Sequence, residues 1–82
     1  MNTKERLLAA INIAAPLEDY DANDNIFSMK YPTTSINMVY ILQKLAEDFR
    51  FAINDEFVDA LETCTFGQLE ELLERYAGTL PA

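Results

Sequence analysis

Histidine and tryptophan are absent from this 82-residue chain, and it has one cysteine, Cys64. Without histidine, neither a Ser–His nor a Cys–His nucleophile pair can be built, and a histidine-containing zinc site is excluded. One thiol permits no internal disulfide. The opening Met1-Asn2-Thr3-Lys4-Glu5-Arg6 is charged, with no apolar signal-peptide run after it. Together these point to a reducing cytoplasm. No stretch approaches the ~18 consecutive apolar residues of a membrane span. Cations are also scarce: six Lys and Arg face fourteen Asp and Glu, for a net charge of -8. Such a surface repels phosphate backbones, so nucleic acid is not an expected partner. It suits docking onto basic patches of other proteins. The acids between Glu18 and Asp24 lack the spacing of an EF-hand and its closing bidentate Glu, so a solvated loop is expected there rather than a metal site. No catalytic constellation is expected, and Cys64 reads as a small buried filler.

Half of the residues are hydrophobic, enough for a folded core in a single domain spanning 1–82. The patterning is helical, with no strand alternation and no internal repeat. A first helix is predicted from about Lys4 to Ala15, capped by Thr3, with Leu7, Leu8, Ile11 and Ala15 at helical spacing and Pro16 ending it. Residues 16–33 show no period. Asp19, Asp21, Asn23, Asp24 and Asn25 are turn formers, and Leu17, Tyr20, Ile26, Phe27 and Tyr31 are placed to pin the loop to the body. A loop this long in a small domain is uncommon and often functional. The second helix is predicted over Ser35 to Phe49, with Thr33, Thr34 and Ser35 as candidate caps. Ile36, Val39, Leu42, Leu45 and Phe49 are its expected core stripe, and Met38 and Tyr40 read equally as partner contacts or as partly covered surface. Asn54 caps a short third helix, Asp55 to Leu61, whose Phe57, Val58 and Leu61 are expected to face inward. Thr65 and Gln68 match a capping box for the last helix, whose apolar face is Phe66, Leu69, Leu72, Leu73 and Tyr76. Gly78 and Pro81 are its expected stop signals. The fold class is thus all-α: a small, up-down four-helix bundle with a long loop between helices 1 and 2 and a short helix 3. Leu8, Ile11, Val39, Leu42, Leu45, Phe49, Ile53, Leu69 and Leu72 are its expected core.

The run Thr34-Ser35-Ile36, Val39, Leu42, Leu45, Glu47-Asp48-Phe49 and Ile53-Asn54-Asp55-Glu56 resembles the acyl carrier protein family. Those carriers open their second helix with Asp-Ser-Leu and enter the third through an Ile-Pro-Asp-like turn. Ile26-Phe27 and Thr65-Phe66 also resemble family positions, and the likeness extends over nearly the whole chain. It implies a 4′-phosphopantetheine arm on Ser35, holding an acyl or aminoacyl cargo as a thioester. It also implies a phosphopantetheinyl transferase and acyl-transferring or ligase enzymes as partners of a monomeric, stand-alone carrier. Thr34, Ile36, Asn37, Tyr40, Glu47, Asp55 and Glu56 become the residues those partners would read. Two departures matter. Thr34 replaces the motif's Asp, and Pro32 stands where a Gly is usual. Asn37, Tyr40 and Ala46 occupy places where acids are common, which implies a dedicated pathway of fatty-acid or polyketide biosynthesis and poor service to general fatty-acid enzymes. From spacing alone Ser35 reads as a helix cap. The resemblance reads it as an attachment site. An unmodified carrier fold serving as an interaction adaptor, or an unrelated helical protein-binding domain, are the competing readings.

Overall fold

The computed structural model describes residues 2–79, and Pro81 therefore lies outside the described residues. Four helices follow one another: α1 Thr3–Ala14, α2 Ser35–Phe49, α3 Asp55–Leu61 and α4 Phe66–Tyr76. The described residues contain no strand, only an isolated bridge between Asn25 and Thr65. This is the small all-α bundle with a long first loop and a short third helix. No helix among them is long and apolar enough to cross a membrane.

Each helix start carries a side-chain cap. The cap of α1 is Asn2, whose side chain accepts the Glu5 N–H at 2.8 Å. It displaces the expected Thr3, because Asn reaches the free N–H groups of the first turn at least as well. The capping box of α4 forms as the sequence implies. Thr65 Oγ1 accepts from Gln68 N at 3.2 Å, and Gln68 Oε1 accepts from Thr65 N at 2.9 Å. Helix α2 ends at Arg50, which adopts left-handed backbone with φ 59°, and the following Phe51 N–H returns to the Ala46 carbonyl at 3.2 Å. Gly78, also left-handed at φ 74°, donates its N–H to the Phe49 carbonyl at 2.8 Å and ties the end of α4 to the end of α2.

The core lies where α1, α2 and α4 pack together. Its members include Leu7, Ala10, Ile11, Met38, Ile41, Leu42, Leu45, Phe49, Leu69 and Leu73. Several expectations fail here. Val39 is 56% exposed, Ile53 39% and Ile36 75%, whereas Met38, expected on the surface, is buried. Leu8 and Leu72 only flank the core. On α3, Phe57 and Leu61 are buried but Val58 is exposed. The reason on α2 is helical geometry. Each step of three residues falls about 60° short of a full turn, so the string from Ile36 to Leu45 winds about 180° around the helix. Met38, Ile41, Leu42, Leu45 and Phe49 share one side. The inward place expected of Ile53 is taken by Phe51, whose ring lies 5.0 Å from Phe57 and 6.0 Å from Tyr76.

The long first loop is held down at many points. Tyr20 stacks on Phe66 with centroids 4.2 Å apart, and Tyr31 meets the same ring edge-on at 4.8 Å. Ile26 is fully buried. Backbone bonds stitch the loop to the start of α4: Ile26 N to Cys64 O, Phe66 N to Asp24 O and Gly67 N to Ala22 O. Gly67 suits that close approach, since a Cβ there would sit 3.2 Å from the Ala22 carbonyl oxygen and press the loop back by a few tenths of an ångström. One polar bond ties the loop to α4 and another braces the loop internally. Tyr20 donates to Glu70 at 2.7 Å, and Tyr31 donates to Asp24 at 2.5 Å. The Tyr31 hydroxyl and Lys30 hold the Asp24 carboxyl below the usual range. The segment that precedes Ser35 is therefore a fixed part of the fold.

Candidate functional site

Three hydroxyl residues in a row enter α2, and each does something different. Thr33 is buried and donates its hydroxyl to the Ile26 carbonyl. Thr34 is the cap, its Oγ1 accepting the Asn37 N–H at 3.2 Å. Ser35 is the first helical residue. It is exposed, and its hydroxyl has no part in the cap. Asn37 adds a lock by donating its side-chain amide to the Pro32 carbonyl at 2.7 Å. The half-buried Asn37 thereby fixes the path of the chain into the helix, a role its sequence position did not announce.

Two recesses open beside Ser35. One is an apolar cleft of about 150 Å³ between α2 and α3, lined by Phe27, Met38, Val39, Leu42, Val58 and Leu61, with Ser35 and Glu62 as its polar members. The other, of about 390 Å³, lies on the loop side and is lined by Phe27, Ser28, Met29, Tyr31, Thr33, Thr34 and Ser35. Only Ser35 and Phe27 belong to both. The aromatic expected to pin the loop at Phe27 is instead 37% exposed and stands at this junction.

Around the recesses α2 presents a second apolar surface. Ile36, Val39 and Tyr40 are 75%, 56% and 60% exposed. Ile36, Tyr40 and Glu47 follow one line along the helix at its repeat spacing, and Glu47 is exposed. Asp55 and Glu56 are exposed in the first turn of α3, where acids complement the helix dipole. Sequence reasoning missed Phe27, Val58, Leu61 and Glu62 as neighbours of Ser35. Tertiary packing alone brings them there.

Elsewhere the inventory is sparse. Cys64 is buried, its Sγ 3.1 Å from the Thr65 carbonyl oxygen, and burial pushes its thiol up to about 11. It is a thiol, not a thiolate, at neutral pH, and it suits the filler role. Among the described residues, no three acids or thiols are grouped to hold a metal ion. The arrangement offers a fixed, exposed primary hydroxyl at a helix N-terminus, with an apolar shelter next to it. No family model, no curated protein and no solved structure matches the chain.

Proposed function

We propose that the chain is an acyl carrier protein of a specialised biosynthetic pathway, bearing a 4′-phosphopantetheine arm on Ser35. The observation that carries this reading is the division of labour at the start of α2. Thr34 caps the helix, and the neighbouring Ser35 hydroxyl is exposed and takes no part in that cap. In the modification, Ser35 Oγ bonds to the phosphorus that carries the pantetheine of coenzyme A. The pyrophosphate linkage breaks, adenosine bisphosphate leaves and the hydroxyl proton passes to solvent. The helix N-terminus favours the resulting phosphodiester by about 0.3–1 kcal/mol. The arm's thiol supplies the thioester chemistry, and the protein supplies position and shelter.

The exposed Ile36, Val39 and Tyr40 are the proposed contact surface for partner enzymes, with Glu47, Asp55 and Glu56 as its acidic members. Tyr40 gives an apolar ring with a polar tip, a common interface anchor. The implied docking patch on the partner is more apolar and less basic than one built for an acid-rich helix. The same surface would serve an unmodified adaptor, and intact mass distinguishes the two readings. Incubation with coenzyme A and a permissive phosphopantetheinyl transferase adds one phosphopantetheine mass to the wild type and none to Ser35→Ala. A wild type that stays unmodified with several transferases leaves the adaptor reading in its place.

A further inference from the structure

Asn37 is half-buried, between the exposed Ile36 and the buried Met38. Its side-chain amide donates to the Pro32 carbonyl at 2.7 Å, and its backbone N–H donates to Thr34 Oγ1 at 3.2 Å. A carbonyl oxygen only accepts, so the atom that meets it is the amide nitrogen. Ser35 lies inside both of the rings these bonds close. One residue before the cap, Thr33 is buried and donates its hydroxyl to the Ile26 carbonyl. Pro32, Thr33 and Thr34 are thus each tied down, while Ser35 is exposed between them and the rest of α2.

An acid at position 37 forms no such tie. An ionised carboxylate only accepts hydrogen bonds, and there it would face the Pro32 oxygen. An acid would otherwise be favoured at this place. It would sit in the first turn of α2, where the helix dipole stabilises negative charge, and it would speed encounter with a basic partner. The amide forgoes both gains and makes the bond to Pro32 instead.

We infer that Asn37 is a positioning residue for the reaction at Ser35, rather than a residue that partners read: its bond to the Pro32 carbonyl holds the Ser35 hydroxyl in the place where it meets phosphorus. The inference rests on the proposal that Ser35 bears the arm. In that step Ser35 Oγ bonds to phosphorus as the pyrophosphate linkage of coenzyme A breaks, and the rate depends on how closely the hydroxyl is held to the line of attack. A hydroxyl on a fixed chain arrives already placed. A hydroxyl on a loosened helix start has to be ordered by the transferase at each turnover.

The experiment compares the wild type, Asn37→Ala and Asn37→Asp as substrates of a permissive phosphopantetheinyl transferase at saturating coenzyme A, with kcat and KM for the carrier measured separately. The carrier is the substrate here, so partial unfolding of a variant raises its apparent KM and leaves kcat alone. Both variants are expected to lose kcat by about tenfold, within the roughly hundredfold that a misplacement of about 1 Å costs. Backbone order parameters of the unloaded proteins are measured alongside by NMR. Those of Thr34 and Ser35 are expected to fall in both variants from the value of about 0.85 typical of rigid backbone, while the middle of α2 keeps its own. An unchanged kcat in Asn37→Ala overturns the positioning role. So does a lower KM with unchanged kcat in Asn37→Asp, which would make position 37 a surface that partners read. A fall in kcat with unchanged order at Thr34 and Ser35 overturns it as well, since Asn37 would then act by touching the transferase. Absence of any loading on the wild type overturns the attachment of an arm to Ser35, and the role of Asn37 in that reaction falls with it.

Discussion

The two sides of α2 are both apolar, and only one of them is covered. Met38, Ile41, Leu42, Leu45 and Phe49 are buried against α1 and α4, while Ile36, Val39 and Tyr40 are more than half exposed. The inner side is what a small bundle needs to fold. The outer side takes no part in that packing, and an isoleucine, a valine and a tyrosine are left in water there. Ser35 stands at the end of that outer side, with the cleft between α2 and α3 beside it. The difference therefore separates the residues that make the fold from those that are available for work.

The strongest way to break this comparison is to truncate one residue from each side. Leu45→Ala is expected to destabilise the protein by about 2–5 kcal/mol, as buried leucine truncations do. Val39→Ala is expected to stay within about 0.5 kcal/mol of the wild type. Denaturant unfolding measures both, and similar losses for the two would erase the distinction. A finer contrast lies between neighbours. Thr34→Ala removes the cap and is expected to cost about 1 kcal/mol, whereas Ser35→Ala removes no cap. In the same unfolding assay, a larger loss at Ser35 than at Thr34 would return Ser35 to a structural role.

The loop that holds Phe27 gives a weaker, pH-dependent handle. Burial, and then the hydrogen bond to Glu70, raise the Tyr20 hydroxyl above the ordinary tyrosine range. The Tyr31 hydroxyl is raised chiefly by its bond to Asp24. A group raised on folding contributes fully below its unfolded value, here about 10, and loses that contribution as pH rises through the folded value. Asp24 runs the other way. Its folded value is lowered, so its contribution is present above about pH 4 and fades as pH falls through the folded value. Unfolding midpoints are accordingly expected to fall at both extremes. Tyr20→Phe should flatten the alkaline limb, and an unchanged alkaline limb would show that the Tyr20 pin does not bear on stability.

Local signals made much of this fold legible. The bounds of α2 and α3, the Asn54 cap and the Thr65–Gln68 capping box depend on neighbours a few residues apart, and the chain states them directly. The choice of face on α2 was not legible, because apolar residues occur on both sides and steps of three drift around the helix. Phe51 reaches the core only through the left-handed turn at Arg50, which no nearby glycine signals. At the site, Ser35 could be picked out by its register but not separated from Thr33 and Thr34. That separation needed the Ile26 carbonyl, which binds Thr33, and the helix start, which engages Thr34. The cleft itself joins residues from the loop, α2 and α3, and no local period encodes such a meeting.

The most direct test of the central claim is to map modification on the protein recovered from the cells that make it. Digestion followed by fragmentation mass spectrometry reads each hydroxyl of the Thr33-Thr34-Ser35 run separately. The account predicts a phosphopantetheine mass on Ser35, with Thr33 and Thr34 bare. Unmodified Ser35 in cells whose other carriers are fully modified, or the mass on either threonine, would contradict it.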